Sequence, residues 1–186
     1  MRIISGIYRG KRFELPAGFK ARPTTDFARE GLFDILSNRF DFSSLHALDL
    51  FAGTGAISLE LSSRGAERVV CVEMNRLHFL HIKQCIKSLQ DTSVVPICGD
   101  VFRYIKAERE QFNFIFADPP YDLSTLEDIP ERVLSSNLLL GDGLFVLEHS
   151  KKNDFSSMPE FVEKRVYGNV NFSFFKHREV VEEEGV

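Results

Sequence analysis

Apolar positions in this chain alternate between two spacings, and the alternation predicts its elements. Short, nearly unbroken apolar runs predict strands at 46–51, 68–73, 93–98, 112–117 and 144–149. Between these runs, apolar residues recur every three to four positions. Ile57 and Leu61 predict a helix after Gly55, and Ile82, Cys85, Ile86 and Leu89 predict another. A short helix is expected over 101–108 and a longer one over 125–136, where Pro130 can delay the start. Residues 161–167 and 171–176 flank Gly168-Asn169 and predict a terminal hairpin. Upstream, Gly6, Gly10, Pro16 and Gly18 break 1–22 into short extended pieces, with a hairpin expected. Thr24, Thr25 and Asp26 then offer N-caps to a helix carrying Ala28, Leu32, Ile35 and Leu36. Strand–helix alternation of this kind implies a parallel sheet covered on both faces, with right-handed crossovers.

Composition narrows the class. A chain of 186 residues, 44% hydrophobic and 27% charged, is that of a globular domain able to bury a substantial core, and the 18 Phe supply most of its aromatic bulk. No apolar run reaches the roughly 18 residues of a membrane span. The opening Met1-Arg2-Ile3-Ile4-Ser5-Gly6 lacks an apolar signal core, which points to a cytoplasmic rather than a secreted protein. Cys71, Cys85 and Cys98 are odd in number and widely spaced, which argues against a disulfide framework or a zinc site. Cys71 and Cys98 are expected to act as small hydrophobes in strands. Net charge is −4, but unevenly spread: residues 1–30 carry seven basic and three acidic groups, the remainder 16 and 24. A basic segment on an acidic body is a candidate phosphate-contacting arm, although a solvated surface segment has the same composition.

Candidate chemistry gathers at strand ends. Asp49-Leu50-Phe51-Ala52-Gly53-Thr54-Gly55 ends the first strand and opens a helix. Glycine lets a backbone turn sharply beside a ligand, and a first helical turn leaves N–H groups facing the same crevice. Glu73 ends the second strand, 18 residues after Gly55, where a carboxylate can accept both ribose hydroxyl protons. Asp100 follows the third, placed to accept from an adenine amino group. Gly53, Gly55 and Glu73 leave an NAD site open, although Phe51 stands where the first Gly of G-x-G-x-x-G would be sought. Ligand charge is the discriminator. A pyrophosphate matches a bare helix end. A sulfonium with an amino-acid tail matches acidic and carbonyl partners such as Asp49 and the carbonyls of 51–53. Asp49 alone reads as an ordinary strand-end carboxylate and Glu73 as a helix cap; with Asp100 and Asp118, acids fall at the ends of four successive strands.

Asp118-Pro119-Pro120-Tyr121 follows the fourth strand, at the end where open α/β sheets bind ligands. Pro119 and Pro120 fix the backbone and donate nothing, so their carbonyls are expected to point outward. The result is a stiff ledge with acceptors for two N–H bonds and a ring to stack on, suited to an amino group on a flat base. A loop in which Asp and Pro simply end a strand would read the same.

Five strand–helix units closed by a hairpin resemble the seven-stranded, mostly parallel sheet of the Rossmann-like class I S-adenosylmethionine-dependent methyltransferases. The glycine loop with Asp118-Pro119-Pro120-Tyr121 resembles those that methylate exocyclic base amines. Met1-Arg2-Ile3-Ile4-Ser5-Gly6, Tyr8-Arg9-Gly10-Lys11, Arg22-Pro23-Thr24-Thr25-Asp26 with Arg29-Glu30, and Ser63-Arg64-Gly65-Ala66 narrow this to the bacterial 16S rRNA guanine-N2 methyltransferases, over nearly the whole chain. Departures are mild: Ser5 where Ala is usual, Thr54 where Ser is frequent, Ile57-Ser58 where Leu-Gly is usual. The resemblance implies an α/β methyltransferase domain over 41–180, a basic extension (hairpin plus helix) over 1–40 for RNA contact, and a disordered acidic tail over 181–186. S-adenosyl-L-methionine is the implied cofactor, held by Asp49, Phe51, Ala52, Gly53, Thr54, Gly55, Glu73 and Asp100, with no metal. Asp118, Pro119, Pro120 and Tyr121 are the implied catalytic ledge. Arg9, Lys11, Arg12 and Arg22 are expected to grip phosphates, and Thr24 and Thr25 to line the mouth of the pocket. The implied substrate is a guanine of small-subunit rRNA within a ribosomal particle, met by a monomer. Rivals at this point are an adenine-N6 DNA methyltransferase, a catalytically silent RNA-binding assembly protein of the same fold, and an NAD-dependent oxidoreductase. His149, at the end of the fifth strand, reads as a satisfied surface residue and is left out of the site.

Overall fold

The computed structural model describes residues 1–15 and 24–178. Arg22 and the acidic tail at 181–186 lie outside them. Seven strands form one sheet: β1 (His46–Leu50), β2 (Arg68–Glu73), β3 (Val94–Cys98), β4 (Phe112–Ala117), β5 (Leu139–His149), β6 (Phe161–Tyr167) and β7 (Val170–Phe175). Their order is β3-β2-β1-β4-β5-β7-β6. The first five pair parallel, and β7 inserts antiparallel between β5 and β6. The helices are α1 (Asp26–Ser37), α2 (Ala56–Ser63), α3 (Arg76–Leu89), α4 (Val101–Ala107) and α5 (Ile129–Leu134). No helix among the described residues is long and apolar enough to cross a membrane.

Strand alternation sorts side chains into two cores. On one face Leu32 and Phe33 of α1, Ile57 of α2 and Ile82 of α3 pack with Phe114, Phe116, Val146, Phe172 and Phe174. On the other, Ile105 of α4 and Ile129 and Val133 of α5 pack with Leu48, Ile115, Phe145, Leu147 and Phe175. The heptapeptide opened by Asp49 departs from strand geometry at Phe51, whose φ of 62° ends β1 one residue earlier than its apolar run suggests.

Two further boundaries, and the environment of one cysteine, differ from the sequence reading. β5 begins at Leu139 and runs through Gly141-Asp142-Gly143, because β4 pairs Phe112 with Leu139 and then Phe114 with Leu144, absorbing the glycines as a bulge. The helix expected over 125–136 is a 3₁₀ turn, Leu126–Asp128, followed by the short α5 with Pro130 in its first turn. Cys98 is exposed at the end of an edge strand, whereas Cys71 and Cys85 are buried.

Neither rim of the sheet presents a plain, unbroken edge. In β3 the Ser93 carbonyl and the Gly99 amide both bond to β2 or its flank, so odd positions face inward and Pro96 faces out, where it has no N–H to offer. β6 presents Glu163, Lys164 and Arg165 in succession along the opposite rim.

The N-terminal hairpin forms, with Arg2 opposite Arg12, and it packs on the domain. Ile3 is buried in the core beside α1. The Glu60 carboxylate of α2 accepts from the backbone N–H groups of Ile4 (2.7 Å) and Ser5 (3.0 Å), and Ser63 takes the Ile7 N–H on its carbonyl at 2.7 Å. Gly6 has φ of +79°, and a Cβ there would lie 1.7 Å from the Ser63 carbonyl oxygen, so this seat requires glycine.

Candidate active site

The crevice starts where β1 lets go of the sheet. Phe51, Gly53 and Gly55 all take positive φ, at 62°, 54° and 74°. Two backbone bonds fix the turn, from Ala52 N to Val72 O (3.0 Å) and from Gly55 N to Ala52 O (2.7 Å). A Cβ on Gly55 would sit 3.0 Å from the Ile82 side chain, so helix α3 approaches the loop closely. Below the loop, Asp49 is 1% exposed and accepts from the Ser58 amide (3.2 Å) and hydroxyl (2.5 Å) of α2. Burial pushes its carboxyl up to about 7, against the Ser58 hydrogen bonds and with help from the Glu73 charge.

Glu73 closes the far side of the loop. One oxygen accepts from Gly53 N at 2.8 Å and the other from Asn75 N at 2.6 Å. Each carboxylate oxygen has a second lone pair, so these bonds do not exhaust its capacity for hydroxyl donors. Asp100 caps α4, accepting from Arg103 N at 2.8 Å. The Phe51 ring meets Phe102 of α4 edge-on at 6.2 Å. Ala52 and Thr54 are buried in the turn. The seven predicted loop and strand-end positions from Asp49 to Glu73 gather around the one turn after β1, and the Gly99 N to Glu73 O bond (3.2 Å) brings Asp100, the next residue in the chain, close to them.

The ledge meets the crevice directly. Asp118 N donates to Leu50 O at 3.3 Å, so the residue after β4 is tied to the residue before Phe51. Pro119 is buried, Pro120 exposed, and Tyr121 is 48% exposed. The two proline carbonyls are not equivalent: that of Pro120 turns back to accept from Leu123 N at 2.9 Å, contrary to the expectation that both point outward.

Sequence reasoning missed Glu148. It is 3% exposed, and the pairing of Ala117 with Leu147 sets it beside Asp118 on the neighbouring strand. Glu148 accepts from the Tyr121 hydroxyl at 3.0 Å and from the Thr24 hydroxyl at 2.7 Å. Thr24 Oγ1 also lies 3.5 Å from an Asp118 oxygen. Burial, then the Glu148 and Asp49 charges, hold the Asp118 carboxyl well above the usual range. Burial likewise raises Glu148, opposed by its two hydroxyl partners. The signal was present, since Glu148 follows an apolar run as Asp49, Glu73 and Asp118 do. His149 is buried on the other face, with Ser150 O and Ser173 Oγ each 2.8 Å from its ring nitrogens, so it is satisfied but not on the surface.

The remaining expected RNA contacts divide. Thr24 reaches the ledge, while Thr25 caps α1 by accepting from Ala28 N at 3.2 Å. Arg9, Lys11 and Arg12 are exposed on the hairpin. That hairpin is seated at the C-terminal turn of α2, about 10 Å along the helix from its crevice end.

The profile of the family described as conserved hypothetical protein 95 matches residues 1–176. YlbH of Bacillus subtilis (strain 168) is 32% identical over 188 residues, covering 96% of this chain and 100% of its own. Ribosomal RNA small subunit methyltransferase D of Escherichia coli (strain K12) is 27% identical over 179 residues, 95% of this chain and 89% of that one. Hypothetical protein TTHA0928 of Thermus thermophilus superposes with a TM-score of 0.83 at 31% identity, over 95% of this chain and 99% of that one. Sheet order and terminal hairpin are those of the Rossmann-like class I methyltransferase fold. The match runs from the N-terminal hairpin past the last strand, and on that extent the chain belongs to the conserved hypothetical protein 95 family.

Proposed function

We propose that this chain transfers a methyl group from S-adenosylmethionine to the exocyclic N2 amine of a guanine in small-subunit rRNA. The observation that carries the reading is the Asp118 N to Leu50 O bond, which sets the base-holding ledge against the glycine loop. The donor set of the crevice fits the cofactor. Asp49 offers a buried carboxylate for a cationic tail, the loop from Phe51 to Gly55 offers close backbone approach, and Glu73 offers acceptors for ribose hydroxyls. When bound, S-adenosylmethionine supplies a methyl group activated by a sulfonium.

The chain's own residues do the rest. An exocyclic amine on an aromatic base is a weak nucleophile, because its lone pair is conjugated with the ring. Asp118 and the Pro119 carbonyl accept hydrogen bonds from the two amino N–H groups and turn that lone pair toward the crevice. As the N–C bond forms, the S–C bond breaks. The extra proton on nitrogen then leaves to the Asp118 carboxylate and on to solvent. Tyr121, half exposed beside them, stacks on the base. Positioning supplies most of the acceleration. A base buried in a duplex cannot reach the ledge, so it is presented unstacked. Arg9, Lys11, Arg12 and Arg22 contact phosphates, which positions RNA without reading its sequence. The name of the Escherichia coli relative supports the choice of small-subunit rRNA over DNA.

The test is methyl transfer by the purified protein to small-subunit rRNA, naked and in the particle, with nucleosides separated after digestion. N2-methylguanosine is the expected product; N6-methyladenosine, or no methylated nucleoside, would overturn the reading. Asp118→Ala is expected to lower turnover by at least about 100-fold while calorimetry shows cofactor affinity unchanged.

A further inference from the structure

We propose that Glu148 is a positioning residue for the transfer step, holding the Tyr121 ring and the Thr24 hydroxyl in one frame around Asp118. The inference deepens the methyl-transfer reading and rests on it. Tyr121 lies 27 residues before Glu148 in the chain and Thr24 lies 124 before it, on the segment leading into α1. Each of the two Glu148 oxygens takes one of these hydroxyls. Tyr121 is half exposed in a loop, and this bond fixes its ring beside the ledge. A single buried acceptor thus ties the base-stacking loop to the start of α1.

The Thr24 bond does something more specific. Its hydroxyl has one proton, with Glu148 at 2.7 Å and Asp118 at 3.5 Å, so the proton goes to Glu148. The lone pairs of Asp118 are then left open for the amine of a base. An amide at position 148 has one acceptor oxygen and an NH2 group, and so cannot accept from both hydroxyls on separate atoms. It also removes a carboxylate from beside Asp118. Two carboxylates side by side oppose each other's ionisation. Burial first, and then the Glu148 and Asp49 charges, raise the pH at which Asp118 becomes an acceptor, the Thr24 hydroxyl opposing them, while Glu148 also keeps the donors around Asp118 correctly turned.

The experiment compares wild type, Glu148→Gln, Glu148→Ala, Thr24→Val, Tyr121→Phe and the Glu148→Ala/Tyr121→Phe pair. Single-turnover methyl transfer to rRNA at saturating cofactor is read across pH, with cofactor affinity by calorimetry. Glu148→Ala is expected to lower the transfer rate about 100-fold, the scale of a small misplacement, with cofactor affinity within about twofold. The double variant should be no slower than Glu148→Ala, since the two residues act as a unit. Glu148→Gln should lower the rate about tenfold and move the acidic limb of the rate profile to lower pH, a shift that a merely structural role would not produce. Additive losses in the double variant, or a Glu148→Gln profile that overlays wild type, would overturn the proposal. A second readout stands apart from activity: the tyrosine ring carbon resonance lost in Tyr121→Phe should shift in Glu148→Gln. If wild type itself methylates no guanine, the functional reading fails. That resonance then still decides the frame, and an unmoved signal would sink it.

Discussion

Burial holds the Asp49 carboxyl up at about 7, against about 3.9 in an unfolded chain. The folded state therefore binds the proton more tightly, and the associated stability is full below about pH 4 and lost as pH rises to about 7. A shift of this size is worth a few kcal/mol in order of magnitude. Without cofactor, Asp49→Asn should flatten the fall in urea midpoint between pH 4 and 7; parallel curves for the two proteins would remove Asp49 as its source. The same substitution should weaken cofactor binding most above pH 7, where the wild-type carboxylate is ionised and can meet a cation. Asp49, Glu73 and Asp118 were legible because each follows an apolar run that names a strand end. Glu148 carries the same mark, but its meaning lies in hydroxyls 27 and 124 residues away, and such a meeting is set by packing.

Elements were legible where local periodicity decided them and blurred where pairing did. Gly141-Asp142-Gly143 has the composition of a turn, yet pairing with β4 at Leu139 and again from Leu144 keeps the stretch within β5, and only the bulge shows the glycines' preference. Pro130 was expected to delay the helix before β5, and α5 does start late, in a single short stretch. The hairpin's two left-handed glycines separate conformation from contact. Gly10 has φ of +82° with nothing within 4 Å of an added Cβ, whereas at Gly6 that atom would strike the Ser63 backbone. Gly10→Ala should cost about 1 kcal/mol, the penalty of a left-handed alanine. Gly6→Ala should cost about 2–4 kcal/mol, because the hairpin must also leave its seat on α2. Denaturant unfolding of both variants checks this, and equal losses would show that the Ser63 contact is not the deciding one.

At the scale of the molecule, the basic groups and the acids of the site stand on different elements. The ledge and crevice are lined by acids, while Arg9, Lys11 and Arg12 stand on a hairpin seated on α2 and, through Arg2, on Asp26 and Arg29 at the start of α1. Removing these three cations together should lower the slope of log affinity for rRNA against log salt by roughly 2. Cofactor affinity and thermal midpoint should stay put; an unchanged salt slope would take the hairpin out of RNA contact. Five strand–helix units and a closing hairpin were enough to name the seven strands and a mostly parallel sheet; their order came from the structure. So did the seating of the N-terminal hairpin on Glu60 and Ser63, because it joins segments that share no local pattern. The outward Pro96 on one rim and the Glu163-Lys164-Arg165 row on the other have a consequence in the crowded conditions of a cell. A stray extended peptide finds an interrupted hydrogen-bonding ladder on one side and charge on the other, so cross-β stacking has no clean template on which to begin.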